Sequence, residues 1–393
     1  MTRTADDPIH VEQAVLERYR AGARQVQPAL CCPTSYESKY LDLLPQEICE
    51  KDYGCGDPSR YVNSGDTVVD LGSGAGKICY ILAQKVGAGG RVIGVDFNDE
   101  MLTLARKYRR EMAKKLGFSN VEFIKGKIQD LALPLDAAEQ WLSKRSVSNF
   151  QELSAFEAEC DRLRTQQTLI ADGSVDVVVS NCVLNLVRSQ DKKQLFDELL
   201  RVLRRGGRAV ISDIVCDEDP TPPIRNDPDL WSGCIAGAFR EDVFLNMFEE
   251  AGFYGVEILA RQESPWQVIN GIEFRSITVR AFKGKDGPCH DRKQAVVYTG
   301  PWKRVVDDDG HTLHRGERMA VCDKTYNIYC DPEGPYHTNM IPIAPHDTVP
   351  LDDAPPFTCV GGSRRHPKQT KGGNYKKTAV GTDSPCCPEG DCC

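Results

Sequence analysis

The chain lacks the features that mark membrane-spanning and nucleic-acid-binding proteins. No apolar run in its 393 residues approaches the about 20 residues needed to cross a bilayer, and the mean hydropathy is −0.41. The formal net charge of −8 argues against a polyanion as the main partner. The first 24 residues carry charges throughout and lack the apolar stretch of a signal peptide. We therefore expect a cytoplasmic protein with neither a membrane nor a nucleic acid as partner, and, since nothing demands an oligomer, a monomer.

Pairs of CxxC motifs with zinc-finger spacing are also absent, although the chain has 17 cysteines. In a reducing compartment these cysteines remain thiols, which indicates metal binding, redox chemistry or catalysis rather than a disulfide framework. The seven histidines all lie outside the expected sheet core. Their position disfavours a histidine general base there.

Strands and helices alternate from residue 67 onwards. Apolar runs predict strands over residues 67–70, 91–96, 121–124, 175–180 and 208–212, with helical spacing between them. This alternation predicts an α/β fold with an open, doubly wound parallel sheet. A charged, helix-prone stretch over residues 132–172 interrupts the pattern and is interpreted as an insertion.

A glycine-rich loop follows the first predicted strand. It reads Asp70-Leu71-Gly72-Ser73-Gly74-Ala75-Gly76, and such glycines allow close approach of the backbone to a ligand. Nicotinamide and flavin proteins use related loops, and a tight strand-to-helix turn alone is the structural alternative. Asp96 ends the second strand, where an acidic side chain can bind both ribose hydroxyls. Asp70 stands where it can meet the amino end of a methionine moiety.

A late element favours one cofactor among these alternatives. Leu203-Arg204-Arg205-Gly206-Gly207, followed by a strand, resembles the corresponding segment of class I methyltransferases. Together with Asp70 and Asp96, it predicts S-adenosylmethionine as the cofactor, on a Rossmann-like class I methyltransferase sheet. The predicted loop contacts are Gly72, Ser73, Gly74 and Gly76.

Three cysteine motifs surround this expected core. They are YGCG at residues 53–56, SNCV at residues 180–183 and WSGC at residues 231–234. With the glycine loop, these stretches resemble the arsenite methyltransferase family from about residue 30 to about residue 285. The resemblance implies that Cys55, Cys182 and Cys234 bind trivalent arsenic as thiolates, which suits a soft centre. The alternative for each cysteine is an ordinary buried thiol.

The resemblance also implies a reaction and a redox partner. The arsenic lone pair takes up a methyl group from S-adenosylmethionine, so the substrates are arsenite and methylarsenite. A disulfide between Cys55 and Cys32, or its neighbour Cys31, then restores trivalent arsenic. Thioredoxin or glutathione is the expected thiol reductant.

Further cofactor contacts are carried over from the same family. Tyr53 is expected to close over the cofactor, Met101 to pack on the adenine, Ile128 to lie on the adenine side and Asn181 to lie near the methionine portion. A plain core role is the alternative for Met101 and Ile128. The chain departs from the family at Gly233, where many members carry a glutamate.

These expectations divide the chain into five segments. They are an N-terminal segment with redox cysteines (1–60), a cofactor-binding methyltransferase domain (61–219), a small α+β arsenic-binding domain (220–290), a C-terminal domain (291–365) and a disordered cysteine-rich tail (366–393). Two other functions remain open from sequence. One is methylation of a small organic acceptor, and the other is sequestration of metalloids by a thiol-rich protein without catalysis.

Overall fold

The computed structural model describes residues 8–27 and 36–372, which belong to two compact units that divide after Gly284. The first unit is built on a nine-stranded sheet. Its strands are β1 (Thr67–Leu71), β2 (Arg91–Asp96), β3 (Val121–Lys125), β4 (Val175–Asn181), β5 (Leu203–Cys216), β6 (Phe239–Arg240), β7 (Tyr254–Arg261), β8 (Gln267–Ile269) and β9 (Ile272–Phe282). The strand order is β3-β2-β1-β4-β5-β9-β7, with β6 beside β5 and β8 beside β9.

The five strands β1 to β5 run parallel, whereas β9 pairs antiparallel with β5 and β7 pairs antiparallel with β9. Successive residues of β1 enter opposite hydrophobic cores: Val68 packs in one and Val69 in the other. Cores on both faces are the reason that the middle of β1 and the middle of β4 are apolar. The predicted fold class, an α/β doubly wound class I methyltransferase sheet, is confirmed.

Helices cover both faces of this sheet. They are α1 (Pro8–Arg24), α2 (Ser38–Leu41), α3 (Gln46–Glu50), α4 (Lys77–Val86), α5 (Asp99–Lys107), α6 (Arg109–Leu116), α7 (Leu135–Ser143), α8 (Phe150–Gln166), α9 (Lys192–Val202), α10 (Pro222–Arg225), α11 (Pro228–Ser232) and α12 (Glu241–Ala251). The insertion expected over residues 132–172 holds α7 and α8. Helical spacing in the sequence predicts one helix over residues 100–116. The structure divides it at Tyr108, whose hydroxyl donates a hydrogen bond to the Glu47 carboxylate.

The helix after β2 begins at a defined cap. The side chain of Asn98 accepts hydrogen bonds from the backbone amides of Glu100 and Met101. This cap satisfies amides that the first turn of a helix leaves unpaired. As a result, Met101 is fixed at the start of α5, directly after the strand that ends in Asp96.

The second unit has its own small core. Its elements are β10 (Ala295–Tyr298), β11 (Arg304–Val306), β12 (Thr312–His314), β13 (Arg318–Ala320), α13 (Asp323–Cys330), β14 (Met340–Ile343) and α14 (Pro367–Lys371). Strands β13, β10 and β14 form a three-stranded sheet, and β11 pairs with β12.

Two segments differ from the predicted division of the chain. Residues 220–284, predicted as the larger part of a separate domain, lie in the first unit, where β7 and β9 extend the main sheet. Helix α14 falls within the segment predicted to be disordered from residue 366, and its first turn is held by a capping box between His366 and Gln369. Among the described residues, no helix combines the length and apolar character of a membrane span.

Candidate active site

A cavity lies at the carboxyl ends of β1, β2 and β4, where open α/β sheets bind their ligands. Nine of the ten residues predicted to contact the cofactor line it: Tyr53, Asp70, Gly72, Ser73, Gly74, Asp96, Met101, Ile128 and Asn181. The tenth, Gly76, precedes α4 and has a φ of 88°. A Cβ atom added at this position would lie 2.7 Å from the Phe123 ring. The role of Gly76 in the structure is to turn the chain into the helix.

The glycine loop leaves room and a polar group for a ligand. Gly74 has a φ of 52°, and a Cβ at this position would meet nothing within 4 Å. The hydroxyl of Ser73 is buried and has no hydrogen-bond partner among the described residues. A buried hydroxyl without a partner is costly, and a ligand in the cavity can supply the missing bond.

Two buried carboxylates give this cavity its charge. Burial raises the pKa of Asp70 to about 7, although the Cys79 thiol donates a hydrogen bond to its carboxylate. Burial also raises the pKa of Asp96, against the effect of hydrogen bonds from the Asn98 and Gly74 amides. S-adenosylmethionine carries sulfonium and ammonium charges that would stabilise ionised carboxylates. The residues present therefore fit this cofactor.

Aromatic and aliphatic side chains close another side of the cavity. Tyr53 donates a hydrogen bond from its hydroxyl to the Gly22 carbonyl of α1 at 3.1 Å, and its ring meets Tyr19 edge-on. Met101 is fully buried in the same small cluster. Helix α1 therefore brings its own residues to the site, and Glu12, Val15 and Tyr19 line the cavity.

The three cysteines predicted to hold arsenic converge beside this cavity. Cys55, Cys182 and Cys234 are 4%, 7% and 3% exposed and pack in one hydrophobic cluster. The Cys55 and Cys182 sulfurs lie within 4.8 Å of each other, and the Cys182 thiol interacts with both other thiols. The Cys234 Sγ donates a hydrogen bond to the Cys182 carbonyl at 3.1 Å. Cys182 alone among the three also lines the cavity.

Two of these cysteines have an unusual backbone conformation. Cys182 has a φ of 65° and Cys234 a φ of 63°, in the left-handed region that residues with a side chain rarely adopt. The amide of Cys182 bonds to the Ser212 carbonyl, and the carbonyl of Cys234 accepts a bond from the Asn185 side chain. Strain of this kind persists where neighbouring contacts enforce it, and it concentrates at functional sites.

The third cysteine is held by the side chain of Asn181. Its Oδ1 accepts hydrogen bonds from the amides of Cys55 and Gly56, and its Nδ2 donates to the Gly56 carbonyl and the Tyr36 hydroxyl. A Cβ on Gly54 would overlap this amide group. Asn181 therefore positions the Cys55 loop as well as lining the cavity.

The environment keeps two of the thiols protonated. A hydrogen bond with Cys182, followed by burial, raises the pKa of Cys234 well above its usual value. For Cys182, the hydrogen bond with Cys234 lowers the pKa. The hydrogen bond with Cys55 and burial together outweigh this effect, so the pKa of Cys182 also lies well above its usual value. Cys182 and Cys234 are thus uncharged sulfur donors at neutral pH.

Sequence reasoning missed two residues of this site. The Asp213 carboxylate lies within 4.8 Å of the Cys55 and Cys182 sulfurs, and burial raises its pKa to about 6. A charged residue inside the apolar strand β5 was the available signal. Tyr19 forms a hydrogen bond with Cys234, and burial is the main cause of the raised pKa of its hydroxyl. Its place on α1, a charged helix distant in sequence, gave no such signal.

The predicted redox cysteines Cys31 and Cys32 lie outside the described residues, as do the cysteine pairs at 386–387 and 392–393. The residues on either side of the first segment contact the Cys55 loop. The Gln27 amide donates a hydrogen bond to the Tyr53 hydroxyl at 3.1 Å, and the Tyr36 hydroxyl donates one to the Gly56 carbonyl at 3.2 Å.

Known protein families match both units of the chain. The model of a methyltransferase domain matches residues 62–167 and 143–252. Residues 285–375 match the model of a domain of unknown function.

Curated relatives cover most of the chain. An arsenite methyltransferase of Aquipseudomonas alcaligenes is 32% identical over 80% of this chain and 86% of its own length. The arsenite methyltransferase of Homo sapiens is 31% identical over 73% of this chain and 70% of its own length. The crystal structure of an arsenic(III) S-adenosylmethionine methyltransferase from Chlamydomonas reinhardtii aligns with a TM-score of 0.52 and 27% identity, covering 85% of this chain and 100% of that one.

Proposed function

The chain belongs to the arsenite methyltransferase family, and we propose that it methylates arsenite and methylarsenite held by the thiolates of Cys55, Cys182 and Cys234. One observation carries this proposal. Three thiols from separate segments meet beside the cavity of the glycine loop, and Cys182 belongs to both the thiol cluster and the cavity wall. Such an arrangement supports the binding of a soft three-coordinate substrate next to the cofactor site.

Arsenic can bind at this buried site without bringing a net charge into it. Arsenous acid is neutral, and each of three thiols replaces one hydroxyl group. Three As–O bonds break, three As–S bonds form and three waters leave, with arsenic remaining trivalent. Methylarsenite is also neutral but has two hydroxyl groups, so it takes two of the three thiols. Because the product is neutral in both cases, the raised thiol pKa values of Cys182 and Cys234 do not oppose binding.

S-adenosylmethionine, when bound, supplies an electrophilic methyl group, which the arsenic lone pair takes up without a general base. Asp96 and Asp70 are the side chains proposed to hold its ribose hydroxyls and its amino group. The buried, glycine-rich wall excludes water, so the main contribution of the protein is proximity and orientation.

Asp213 has a proposed electrostatic role. Arsenic acquires positive charge as its lone pair becomes the new As–C bond, and the Asp213 carboxylate lies within 4.8 Å of two of the sulfur ligands. Its oxygens accept hydrogen bonds from the Leu184 and Ile214 amides, which hold it in place. For unit charges about 5 Å apart at an effective dielectric near 20, the attraction is roughly 3 kcal/mol.

We further propose that Cys55 takes part in re-reduction. Methylation leaves arsenic pentavalent, and the second thiol then attacks the arsenic-bound sulfur of Cys55. The As–S bond breaks and leaves its electron pair on arsenic, one S–S bond forms and one proton is released. The second thiol is Cys32 or Cys31, in a segment bounded by Gln27 and Tyr36, which both contact the Cys55 loop. Thioredoxin or glutathione then reduces the disulfide by thiol exchange.

The test is methylation of arsenite by the purified chain with S-adenosylmethionine, in parallel reactions with glutathione and with a thioredoxin system. Products are separated by chromatography and quantified by mass spectrometry. We expect methylated arsenic from the wild type and none from Cys182→Ser. Asp213→Asn should retain arsenite binding and lose up to about a hundredfold in kcat. An electrostatic attraction of roughly 3 kcal/mol corresponds to about this factor, since 1.36 kcal/mol is tenfold in rate.

The matched control is Cys216→Ser. Cys216 is equally buried in the same cluster, but its thiol donates to the Phe239 carbonyl, a bond that a serine hydroxyl can make. Methylation by Cys182→Ser at the wild-type rate would show that the thiol site is wrong. A wild type that binds S-adenosylmethionine but leaves arsenite unmethylated would point to an organic acceptor, and one that binds no cofactor would point to sequestration.

A further inference from the structure

A second group of three thiols belongs to the second unit and shares no residue with the candidate active site. The sulfurs of Cys289, Cys322 and Cys359 all lie within 4.8 Å of one another. This group of thiols is tighter than the first. In the first group the sulfurs of Cys55 and Cys182 lie within 4.8 Å of each other, but Cys234 is not included at that distance. All three cysteines are free.

Backbone hydrogen bonds hold the three cysteine segments together. The Phe357 amide donates to the Cys289 carbonyl at 2.9 Å, and the Asp323 amide donates to the His290 carbonyl at 2.9 Å. Cys322 also caps α13, since its Sγ accepts a bond from the Thr325 amide. The thiols are therefore brought together by the fold itself and are not a chance contact of mobile side chains.

The group is open on one side. Cys322 is fully buried, whereas Cys289 and Cys359 are half-buried. A small solute can therefore approach the group from the side of Cys289 and Cys359.

We propose that Cys289, Cys322 and Cys359 form a second binding site for a trivalent arsenical, separate from the site of methyl transfer. Among residues 8–27 and 36–372, the group consists of three sulfurs without a fourth ligand. This set suits arsenic(III), which takes three thiolates and keeps a lone pair in the remaining direction. Structural zinc is almost always four-coordinate. The adjacent His290 is not a member of the group, and its ring Nδ1 lies within hydrogen-bonding distance of the Ala354 carbonyl oxygen, at 3.2 Å.

Occupation of this site follows the same exchange as the first. Three S–H bonds and three As–O bonds break, three As–S bonds form, three waters leave and the oxidation state does not change. Burial, followed by the Cys289 and Cys322 thiols, raises the pKa of Cys359, so this thiol is neutral before the exchange. The site binds arsenic independently of whether methylation occurs.

The experiment counts arsenic atoms per full-length chain. The reduced protein, with Cys386, Cys387, Cys392 and Cys393 replaced by serine, is incubated with arsenite, desalted and measured by elemental mass spectrometry. We expect two arsenic atoms per chain, and one after Cys55→Ser with Cys182→Ser. Adding Cys322→Ser or Cys359→Ser to that variant should remove the last one. X-ray absorption of the one-arsenic variant should show three sulfur neighbours and no oxygen.

Cys330→Ser is the matched control, because Cys330 lies on α13 in the same unit but outside the group. It should leave the count unchanged. A serine at position 322 can still cap α13, and Cys359→Ser tests the same site at a half-buried position. An arsenic count that neither variant lowers would overturn the proposal. So would zinc in the purified protein that disappears with Cys322→Ser, or a disulfide within the group that persists under reducing conditions.

The outcomes of the two proposals are distinguishable. If arsenite is not methylated but the last arsenic atom still depends on Cys322 and Cys359, the second site stands and the catalytic proposal fails. If methylation occurs and these variants do not change the count, the reverse holds.

Discussion

At the scale of single residues, the site works by placing ionisable groups where water does not reach them. Asp70 is the clearest case, because burial raises its pKa to about 7 and the Asp52 and Asp96 charges act in the same direction. The one side chain that opposes this shift is Cys79, through its hydrogen bond. The carboxylate is therefore half protonated near neutral pH until a cation binds beside it.

This pKa predicts a pH dependence of cofactor binding. The cofactor's ammonium group binds the ionised form of Asp70, so affinity falls as pH decreases below about 7. The limiting slope is tenfold in Kd per pH unit. Calorimetric titration with S-adenosylmethionine between pH 8 and pH 6 measures it.

Asp70→Asn provides the control for this titration. Its affinity should be weaker at pH 8 and should vary less with pH over the same range. An equal slope in both proteins would assign the pH dependence to another group, such as Asp213, whose pKa burial raises to about 6.

At the scale of elements, helix α1 joins the cavity to the cysteine cluster. The Arg18 guanidinium donates hydrogen bonds to the Asp229 carbonyl at 2.6 Å and to the Ser232 hydroxyl at 2.9 Å. Both partners belong to α11, which ends two residues before Cys234. Gly233 lies at the same contact, where an added Cβ would be 3.5 Å from the Arg18 Nη1. The chain thus has an arginine facing the position where many family members carry a glutamate.

Arg18→Ala should weaken both functions that α1 supports. Loss of two hydrogen bonds from a charged donor costs about 1 to 2 kcal/mol, so we expect KM for arsenite and for S-adenosylmethionine to rise roughly five- to thirty-fold. Hydrogen exchange over residues 8–24 should become faster. Gln13→Ala is the control, since Gln13 is exposed on the same helix and bonds to Glu17. Unchanged KM values in Arg18→Ala would show that this contact does not support the site.

The elements also show how far the sequence alone could lead. Apolar runs predicted the central strands to within a few residues, because a parallel strand covered on both faces must be apolar throughout. Strand β5 is longer than expected since its pairing with β9 continues as far as Cys216 and Phe274. The family resemblance was confirmed, and the glycine loop lies between β1 and α4 on the cavity wall. The cavity wall formed by α1 was not predicted. That wall depends on contacts between residues about 200 positions apart, such as Arg18 with Asp229, and a local pattern carries no information about them.

At the scale of the whole molecule, the division after Gly284 separates two groups of thiols. We expect a chain ending at Gly284 to remain folded, because its sheet and both hydrophobic cores lie within residues 8–284. It should bind S-adenosylmethionine with unchanged affinity and retain one arsenic atom in place of two. Circular dichroism, calorimetry and elemental analysis test this. A truncated chain that cannot bind the cofactor would show that the first unit depends on the second.

The three proposed ligands of the first site come from Cys55, Cys182 and Cys234, and this spacing has a consequence for biosynthesis. A ribosome that adds 5–20 residues per second needs about ten to forty seconds between the first and the last of them. During that interval the nascent chain exposes Cys49, Cys55 and Cys79 without their folded environment. Arsenite in the cell can cross-link such early thiols before the later ligand exists. We therefore expect newly made copies to be more vulnerable to arsenite than the folded enzyme, and cells exposed during synthesis to accumulate misassembled chains.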